Sequence, residues 1–187
     1  LEVFQLTDGE ASACHVYMEA QVFTPDARRL VVRTPAAPHG PHNTPADEYG
    51  FCLCDLDADG ELTPLMRGPD VTAPSVSPDG EHVYYFVDSA ACGTGGRMEL
   101  RRVGIDGTGD ECLSVIDTPL PGTGAVPWRV YPLSTIRSDG KAIATGACVG
   151  DGRTDQPPFI VFVCDLETFA WRVVAYGPSW PNPHPQY

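Results

Sequence analysis

One short signature recurs along the chain and constrains its fold more than any other feature. Its fullest form is Ser77-Pro78-Asp79-Gly80, which lies between two segments in which apolar and polar residues alternate. Proline presets φ in such a turn, aspartate can bond its own backbone, and glycine accepts the positive φ that closes a tight hairpin. The signature therefore predicts two antiparallel strands joined by a minimal turn.

Related hairpins precede and follow this one. Residues 21–32 contain Thr24-Pro25-Asp26-Ala27, and residues 134–145 contain Arg137-Ser138-Asp139-Gly140. The three aspartates are 53 and 60 residues apart, and two further short strand-like segments follow each hairpin. Self-similarity at roughly 40–50 residues with four short strands per unit is typical of a β-propeller.

The repeats predict an all-β fold, with residues 1–187 forming one incomplete β-propeller domain. Four-stranded blades are expected at about 15–67, 73–117 and 127–176, with partial blades at both ends. Residues 3–9 are predicted to form the last strand of an earlier blade, and residues 184–187 to begin another. Since open sheet edges aggregate and closure takes at least about four blades, we expect the remainder of a longer propeller, or a second copy, to close the ring. A longer chain is the favoured interpretation, because the sequence ends inside a repeat.

Charge and cysteine content exclude several classes of function. A net charge of −13 argues against nucleic acid as a partner, because phosphates require a basic surface. No run of 18 apolar residues occurs, so the sequence predicts no membrane-spanning helix and no membrane partner. Seven cysteines at irregular spacing do not predict a complete disulfide framework. An acidic ligand would need a local cluster of arginines or a metal ion to offset the acidic field.

Two motifs that look like metal sites have simpler structural interpretations. Cys52 and Cys54 lie two residues apart in a predicted strand, so they share a face and are expected to pack within the sheet. Asp55-x-Asp57-x-Asp59-Gly60 resembles the start of a calcium loop. Met66 occupies the position of the required bidentate acid, so a hairpin turn is the better prediction.

The asymmetry of the loops predicts where a ligand would bind. Within each blade, the connection from the second to the third strand is long, and so is the connection to the next blade. Both lie on one face of the disc, so we expect a site there, near the axis, where the innermost strands begin.

Several residues at the predicted starts of innermost strands are candidates for this site. His15 and His184 each precede such a strand, and Arg129 enters blade three from the same rim. An arginine there could bind a carboxylate through two parallel hydrogen bonds. Tyr17 and Trp128 could stack on a sugar, or could simply pack in the rim.

The sequence also resembles a known family. The Ser-Pro-Asp-Gly repeats are similar to the blades of TolB-like propellers along the whole chain. A narrower set of motifs, Gln5–Gly9, His15-Val16-Tyr17 and Phe23–Asp26, resembles the opening of the oligogalacturonate lyases, which are seven-bladed propellers. The ending His184-x-Gln186-Tyr187 is similar to a mid-chain motif of that family, so the chain resembles the first half of such an enzyme.

This resemblance implies a substrate, a metal and roles for the candidate residues. The family cleaves pectin-derived oligogalacturonides by β-elimination with manganese, a step that removes the proton α to a uronate carboxylate. On this basis His184 is expected to be a metal ligand, with the principal ligands outside the chain. His15, Tyr17, Arg129 and Gln186 are expected to contact the substrate.

The leading hypothesis is therefore metal-assisted β-elimination of acidic oligosaccharides. The alternative is a non-catalytic TolB-like propeller that binds a protein or carbohydrate partner. Further histidines at blade starts and a rim arginine in the rest of the propeller would favour the lyase, and their absence would favour the binding module. The sequence leaves open a cytoplasmic or a periplasmic location. One position departs from the repeats, since Ala27 replaces the usual turn glycine.

Overall fold

The computed structural model describes residues 3, 5–7, 12–35, 49–89, 96–149, 157–178 and 185–186, and all regular structure in these residues is β. Twelve strands follow one another along the chain: β1 (Cys14–His15), β2 (Arg29–Thr34), β3 (Gly50–Asp55), β4 (Glu61–Arg67), β5 (Val71–Val76), β6 (His82–Asp88), β7 (Met98–Gly104), β8 (Glu111–Ile116), β9 (Trp128–Ile136), β10 (Ala142–Cys148), β11 (Phe159–Asp165) and β12 (Trp171–Gly177). The described residues contain no helix long and apolar enough to cross a membrane.

The strands form three four-stranded antiparallel sheets. Their orders are β1-β2-β3-β4, β5-β6-β7-β8 and β9-β10-β11-β12, so each sheet is a simple up-and-down meander. These sheets are called blades one, two and three below. The predicted all-β class built from four-stranded units is confirmed.

The recurrent signature forms the same turn in each blade. In blade two the Gly80 amide donates to the Ser77 carbonyl at 2.9 Å, and Gly80 has a φ of 75°. The Asp79 carboxylate accepts hydrogen bonds from the Ser77 hydroxyl at 2.5 Å and from the Glu81 amide at 3.0 Å. Ala27 and Gly140 occupy the equivalent left-handed positions, with φ of 56° and 72°. The local chemistry of these four residues is therefore sufficient to fix the hairpin.

The motif that resembles a calcium loop is also a hairpin turn, as predicted. The Asp55 side chain accepts a hydrogen bond from the Asp57 amide at 2.9 Å, and the Asp55 carbonyl accepts one from the Gly60 amide at 2.8 Å. The turn joins β3 directly to β4. Asp55 thus stabilises a chain reversal.

The cysteines of β3 pack inside the protein. Cys52 and Cys54 are buried in one cluster with Leu30 and Val32, which confirms that the two thiols share a face of the sheet. The six cysteines that the structure describes are all free thiols.

The main hydrophobic clusters lie between neighbouring blades. Val31 and Leu53 of blade one pack with Val83 of blade two, whereas Phe86 of blade two packs with Phe162 of blade three. Successive side chains of β6 point to opposite faces. Blade two therefore buries both of its faces, and the two neighbouring blades cover them.

A contact between outer strands also joins blades two and three. Trp171 of β12 lies against the rings of Phe162 and Phe86, at centroid distances of 5.4 and 6.4 Å. Its indole N–H donates to the Ser114 hydroxyl of β8 at 2.9 Å. The indole polar group is thus satisfied while the ring fills the space between the sheets.

Two expectations about the first blade are wrong. Val3 and residues 5–7 form no strand, and the rest of the predicted segment 3–9 lies outside the described residues. The Leu6 carbonyl lies against Gly60, beside the turn between β3 and β4. The innermost strand of blade one is also interrupted after β1. A turn joins the Ala20 amide to the Tyr17 carbonyl, and the Gln21 carbonyl accepts its hydrogen bond from Val76 of blade two. The backbone of Gln21 is therefore used for contact between blades.

Candidate functional site

The innermost strands of the three blades meet along one line. The Gln21 side chain of blade one accepts a hydrogen bond from the Ile136 amide at 2.6 Å and donates to the Ile136 carbonyl at 3.0 Å. The Ser75 and Ser134 hydroxyls, from blades two and three, lie 2.7 Å apart. The inner edges of all three blades are therefore connected, and the ends where these strands begin share one face.

An aromatic pair joins blade one to blade three. The rings of Tyr17 and Tyr131 meet edge to face, with centroids 6.2 Å apart and an interplanar angle of 71°. The Tyr131 hydroxyl donates to the Tyr17 hydroxyl over 3.4 Å. Burial raises the pKa of Tyr131, and both the hydrogen bond to Tyr17 and the nearby Glu19 carboxylate raise it further. Tyr131 therefore stays neutral and can donate a hydrogen bond at physiological pH.

Arg129 lies two residues before Tyr131 and has an unusual backbone conformation. Trp128 pairs with Cys148 and Val130 pairs with Ala147, so Arg129 is an extra residue in β9, a β-bulge. Its φ is 50°, in the left-handed region, and its side chain is exposed. No hydrogen bond or ion pair joins its guanidinium to any residue that the structure describes.

The amide next to this bulge is held by a carboxylate of another blade. Asp88, the last residue of β6, accepts a hydrogen bond from the Val130 amide at 2.7 Å. The end of a strand in blade two thus fixes the start of the innermost strand in blade three.

The other sequence candidates have different environments. His15 is exposed in β1, and it lies two residues before Tyr17 as Arg129 does before Tyr131. Gln186 is exposed. His184 and Tyr187 lie outside the described residues, so the predicted cluster of His15, His184 and Gln186 stays a prediction.

Trp128 does not offer a surface for stacking on a sugar. It is 5% exposed and packs with Cys148, Phe159 and Tyr131. Of the two possibilities left open for this residue, packing in the rim is the one that its burial supports.

Three residues near this site were not singled out from the sequence: Glu19, Asp88 and Tyr131. Tyr131 could have been found from its sequence position, since it stands two positions after Arg129 as Tyr17 stands two positions after His15. Glu19 and Asp88 act across blades, and no local sequence pattern reports such a contact.

The described residues do not fit a manganese site. Among them, no group of three or more His, Cys, Asp or Glu side chains is placed to hold a metal ion. Arg129, Tyr17 and Tyr131 supply a guanidinium and hydroxyl groups, which are the kinds of group that bind an organic anion.

A concave region lies among the hairpin turns, on the face opposite the starts of the innermost strands. It is a cleft of about 340 Å³ lined by Glu81, His82, Asp106 and Thr108, among others. The Asp106 carboxylate already accepts two hydrogen bonds from Thr108, at 2.9 and 2.7 Å. Substitutions in this cleft provide controls for substitutions near the tyrosine pair, which lies on the other face.

Comparison with solved structures decides the fold. An oligogalacturonate lyase from Vibrio parahaemolyticus matches 97% of this chain with a TM-score of 0.65 and 15% identity. An oligogalacturonate lyase in complex with manganese matches 97% with a TM-score of 0.67 and 18% identity. TolB from Acinetobacter baumannii matches 86% with a TM-score of 0.55 and 16% identity.

The fold is that of a β-propeller. The chain spans 45% of the length of each lyase and 33% of the length of that TolB protein. No protein-family model matches the sequence, and no curated protein is significantly similar to it. At these identities the shared property is the propeller architecture, and the activity has to be argued from the side chains.

Proposed function

We propose that this propeller is a lyase resembling the oligogalacturonate lyases, and that the face where its innermost strands begin binds acidic, uronate-containing oligosaccharides. One observation carries the proposal. An exposed arginine, Arg129, lies two residues before Tyr131, in the strand whose tyrosine pairs with Tyr17 between blades three and one.

The charge of the protein makes this arginine informative. With a net charge of −13, the protein repels an acidic oligosaccharide unless a local cation offsets the field. A guanidinium can bind a uronate carboxylate through two parallel hydrogen bonds. Hydrogen bonds to charged groups contribute about 1.5–3 kcal/mol, or roughly one to two orders of magnitude in affinity.

The neighbouring side chains supply contacts that suit a sugar. Tyr17 and Tyr131 present ring edges and hydroxyl groups, and both are half-buried. His15, two residues before Tyr17, adds an exposed imidazole. Gln186 is proposed as a further polar contact on the basis of its motif.

The proposed reaction is a β-elimination, in which a general base outside the described residues takes the proton α to the carboxylate. The electron pair of that C–H bond forms the new double bond, and the C–O bond to the neighbouring sugar breaks as its oxygen leaves with the bonding pair and takes up a proton. Negative charge develops on the carboxylate as the proton leaves, so a cation at that position lowers the barrier. Arg129 is proposed to hold this carboxylate. One of the similar lyases is a manganese complex, and His184 remains the proposed ligand for such an ion by resemblance. Because the described residues form no ligand set, no step assigned to them depends on the metal.

An ultraviolet assay for the conjugated double bond of the product tests this proposal. The full-length protein is incubated with oligogalacturonides, with manganese and with a chelator. Metal-dependent growth of absorbance is expected, and Arg129→Ala should lower kcat/KM by about tenfold or more. His82→Ala, on the opposite face, is the matched control and should have little effect. A flat trace in the presence of manganese would contradict the lyase assignment and favour the binding module.

A further inference from the structure

We infer that Asp88 is a positioning residue that holds Arg129 in a strained left-handed bulge and thereby presents its guanidinium to the carboxylate of an acidic ligand. The inference rests on the proposed function, and it adds a second residue and a physical device to the same site. It depends on the backbone conformation of Arg129, on the groups that fix this conformation, and on the exposure of its side chain.

The positive φ of Arg129 is unusual for a residue with a large side chain. Among the described residues, five other than glycine have a positive φ: Ala27, Asp59, Ala73, Arg129 and Phe169. Ala27, Asp59 and Phe169 lie in turns between strands, where the chain must reverse. Ala73 and Arg129 lie inside the innermost strands β5 and β9, each at a shift in strand register, where no reversal occurs. Ala73 is small and buried, whereas Arg129 is exposed and a residue of its size rarely adopts this conformation.

The structure around Arg129 determines this conformation from both sides. Trp128 is buried and paired with Cys148, while Val130 is buried and paired with Ala147. Asp88 also accepts the hydrogen bond of the Val130 amide at 2.7 Å. With both neighbours fixed, the extra residue between them must bulge out of the strand.

The described part of the fold makes no visible use of the Arg129 side chain. The Arg129 side chain is exposed and forms no hydrogen bond or ion pair with the described part of the chain. Strained backbone persists where the surrounding structure over-determines it, and such positions concentrate at ligand sites. A bulge also re-aims one side chain out of the alternation of its strand. The natural occupant of this position is therefore a ligand with a carboxylate.

The first test separates stability from binding in the full-length protein. Arg129→Gly should raise Tm by about 2–4 °C, because glycine adopts a positive φ without strain. Ala27→Gly relieves the same kind of strain in a turn and is the matched control, with a similar rise in Tm. Calorimetric titration with tri-galacturonic acid should show binding weakened about tenfold or more in Arg129→Gly and unchanged in Ala27→Gly.

The second test asks whether Asp88 acts through Arg129. Asp88→Ala removes the acceptor of the Val130 amide and should weaken tri-galacturonic acid binding severalfold, whereas Asp88→Asn keeps an acceptor oxygen and should restore most of the affinity. In the Arg129→Gly background, Asp88→Ala should weaken binding no further, because the two residues act as one unit. A merely structural role for Asp88 would give losses that multiply, and that outcome would overturn the inference.

The outcomes distinguish this inference from the proposed function. If the wild-type protein binds tri-galacturonic acid but Arg129→Gly binds it equally well, the inference fails while the proposed function stands. If Arg129→Gly does not raise Tm, the bulge holds no strain and the inference also fails. If the wild-type protein binds no acidic sugar, the proposed function fails, and the assignment of a ligand to Arg129 fails with it even where the Tm rises.

Discussion

At the scale of single residues, Ala27 occupies a left-handed position that glycine fills in the equivalent turns of the other two blades. Its φ is 56°, compared with 75° for Gly80 and 72° for Gly140. We predict that Ala27→Gly raises the free energy of unfolding by about 0.5–1 kcal/mol, since the steric cost for alanine exceeds the entropic cost of glycine. Chemical denaturation monitored by tryptophan fluorescence measures the change.

The reverse substitution in blade three is the control for Ala27→Gly. A Cβ added at Gly140 would contact only Pro78 Cδ, at 4.0 Å, so Gly140→Ala should lower stability through backbone strain alone. At Gly80 an added Cβ would lie 2.8 Å from Pro25 Cδ, so a clash would be mixed with the strain. A loss of stability in Ala27→Gly would contradict the account of this turn.

The turn carboxylates link stability to pH. Hydrogen bonds from the Ser77 hydroxyl and the Glu81 amide lower the pKa of Asp79 below its ordinary value of 3.8. A lowered pKa in the folded state means that the ionised carboxylate stabilises the fold above pH 3.8, and that this contribution is lost as the pH falls through the folded-state pKa. The protein should therefore lose stability progressively on acidification below about pH 4.

Asp79→Asn isolates this contribution, because asparagine keeps an acceptor oxygen but does not titrate. The wild-type protein should be the more stable of the two at pH 6, and the difference should shrink as the pH falls below 3.8. Urea denaturation at several pH values measures it. A difference in stability between the two proteins that stays constant from pH 6 to well below pH 3.8 would show that the Asp79 charge does not contribute.

At the scale of strands, contacts between innermost strands hold the blades together. The Ser134 hydroxyl donates to the Ala73 carbonyl at 2.7 Å and lies 2.7 Å from the Ser75 hydroxyl, and both serines are fully buried. We predict that Ser134→Ala costs about 1–3 kcal/mol, because it leaves a buried carbonyl without its donor. Thermal unfolding measures the loss. Ser138→Ala, in an exposed turn of the same blade, is the control and should change stability by less than about 0.5 kcal/mol.

The hairpins could be predicted from the sequence because their determinants are local. In Ser77-Pro78-Asp79-Gly80, each residue acts on its own turn, so the pattern and the structure agree. The interrupted innermost strand of blade one could not be predicted, because the Gln21 carbonyl bonds to Val76 of another blade. Contacts between blades depend on the packing of distant segments, and hydrophobic alternation does not report them.

The residues of the candidate site also divide into those that local sequence predicts and those that depend on contacts between blades. Arg129 and Tyr17 could be chosen from the sequence because each stands at the predicted start of an innermost strand. The tyrosine partner, Tyr131, and the carboxylate that holds the bulge, Asp88, are recognisable only when two blades are placed side by side. The left-handed conformation of Arg129 has no signature in the sequence, since it arises from the register of β9 against β10.

At the scale of the whole molecule, the three blades pack face to face with hydrophobic clusters between them. The chain spans 45% of the length of the similar lyases, so the site formed by the innermost strands is proposed to include further blades. Each blade contributes the start of one innermost strand to one face of the disc. This face, where the innermost strands begin, is called the axial face. The specificity of such a face therefore depends on residues like Arg129, which the scaffold positions and which it does not need for its own packing.

The most direct test of the central claim is a calorimetric titration of the full-length protein with oligogalacturonides and with their neutral methyl esters. Binding of the acidic ligand should exceed binding of the ester, and Arg129→Ala should weaken it about tenfold or more while His82→Ala leaves it unchanged. Equal binding of both ligands, or equal binding by wild type and Arg129→Ala, would contradict the assignment of a carboxylate site to the axial face.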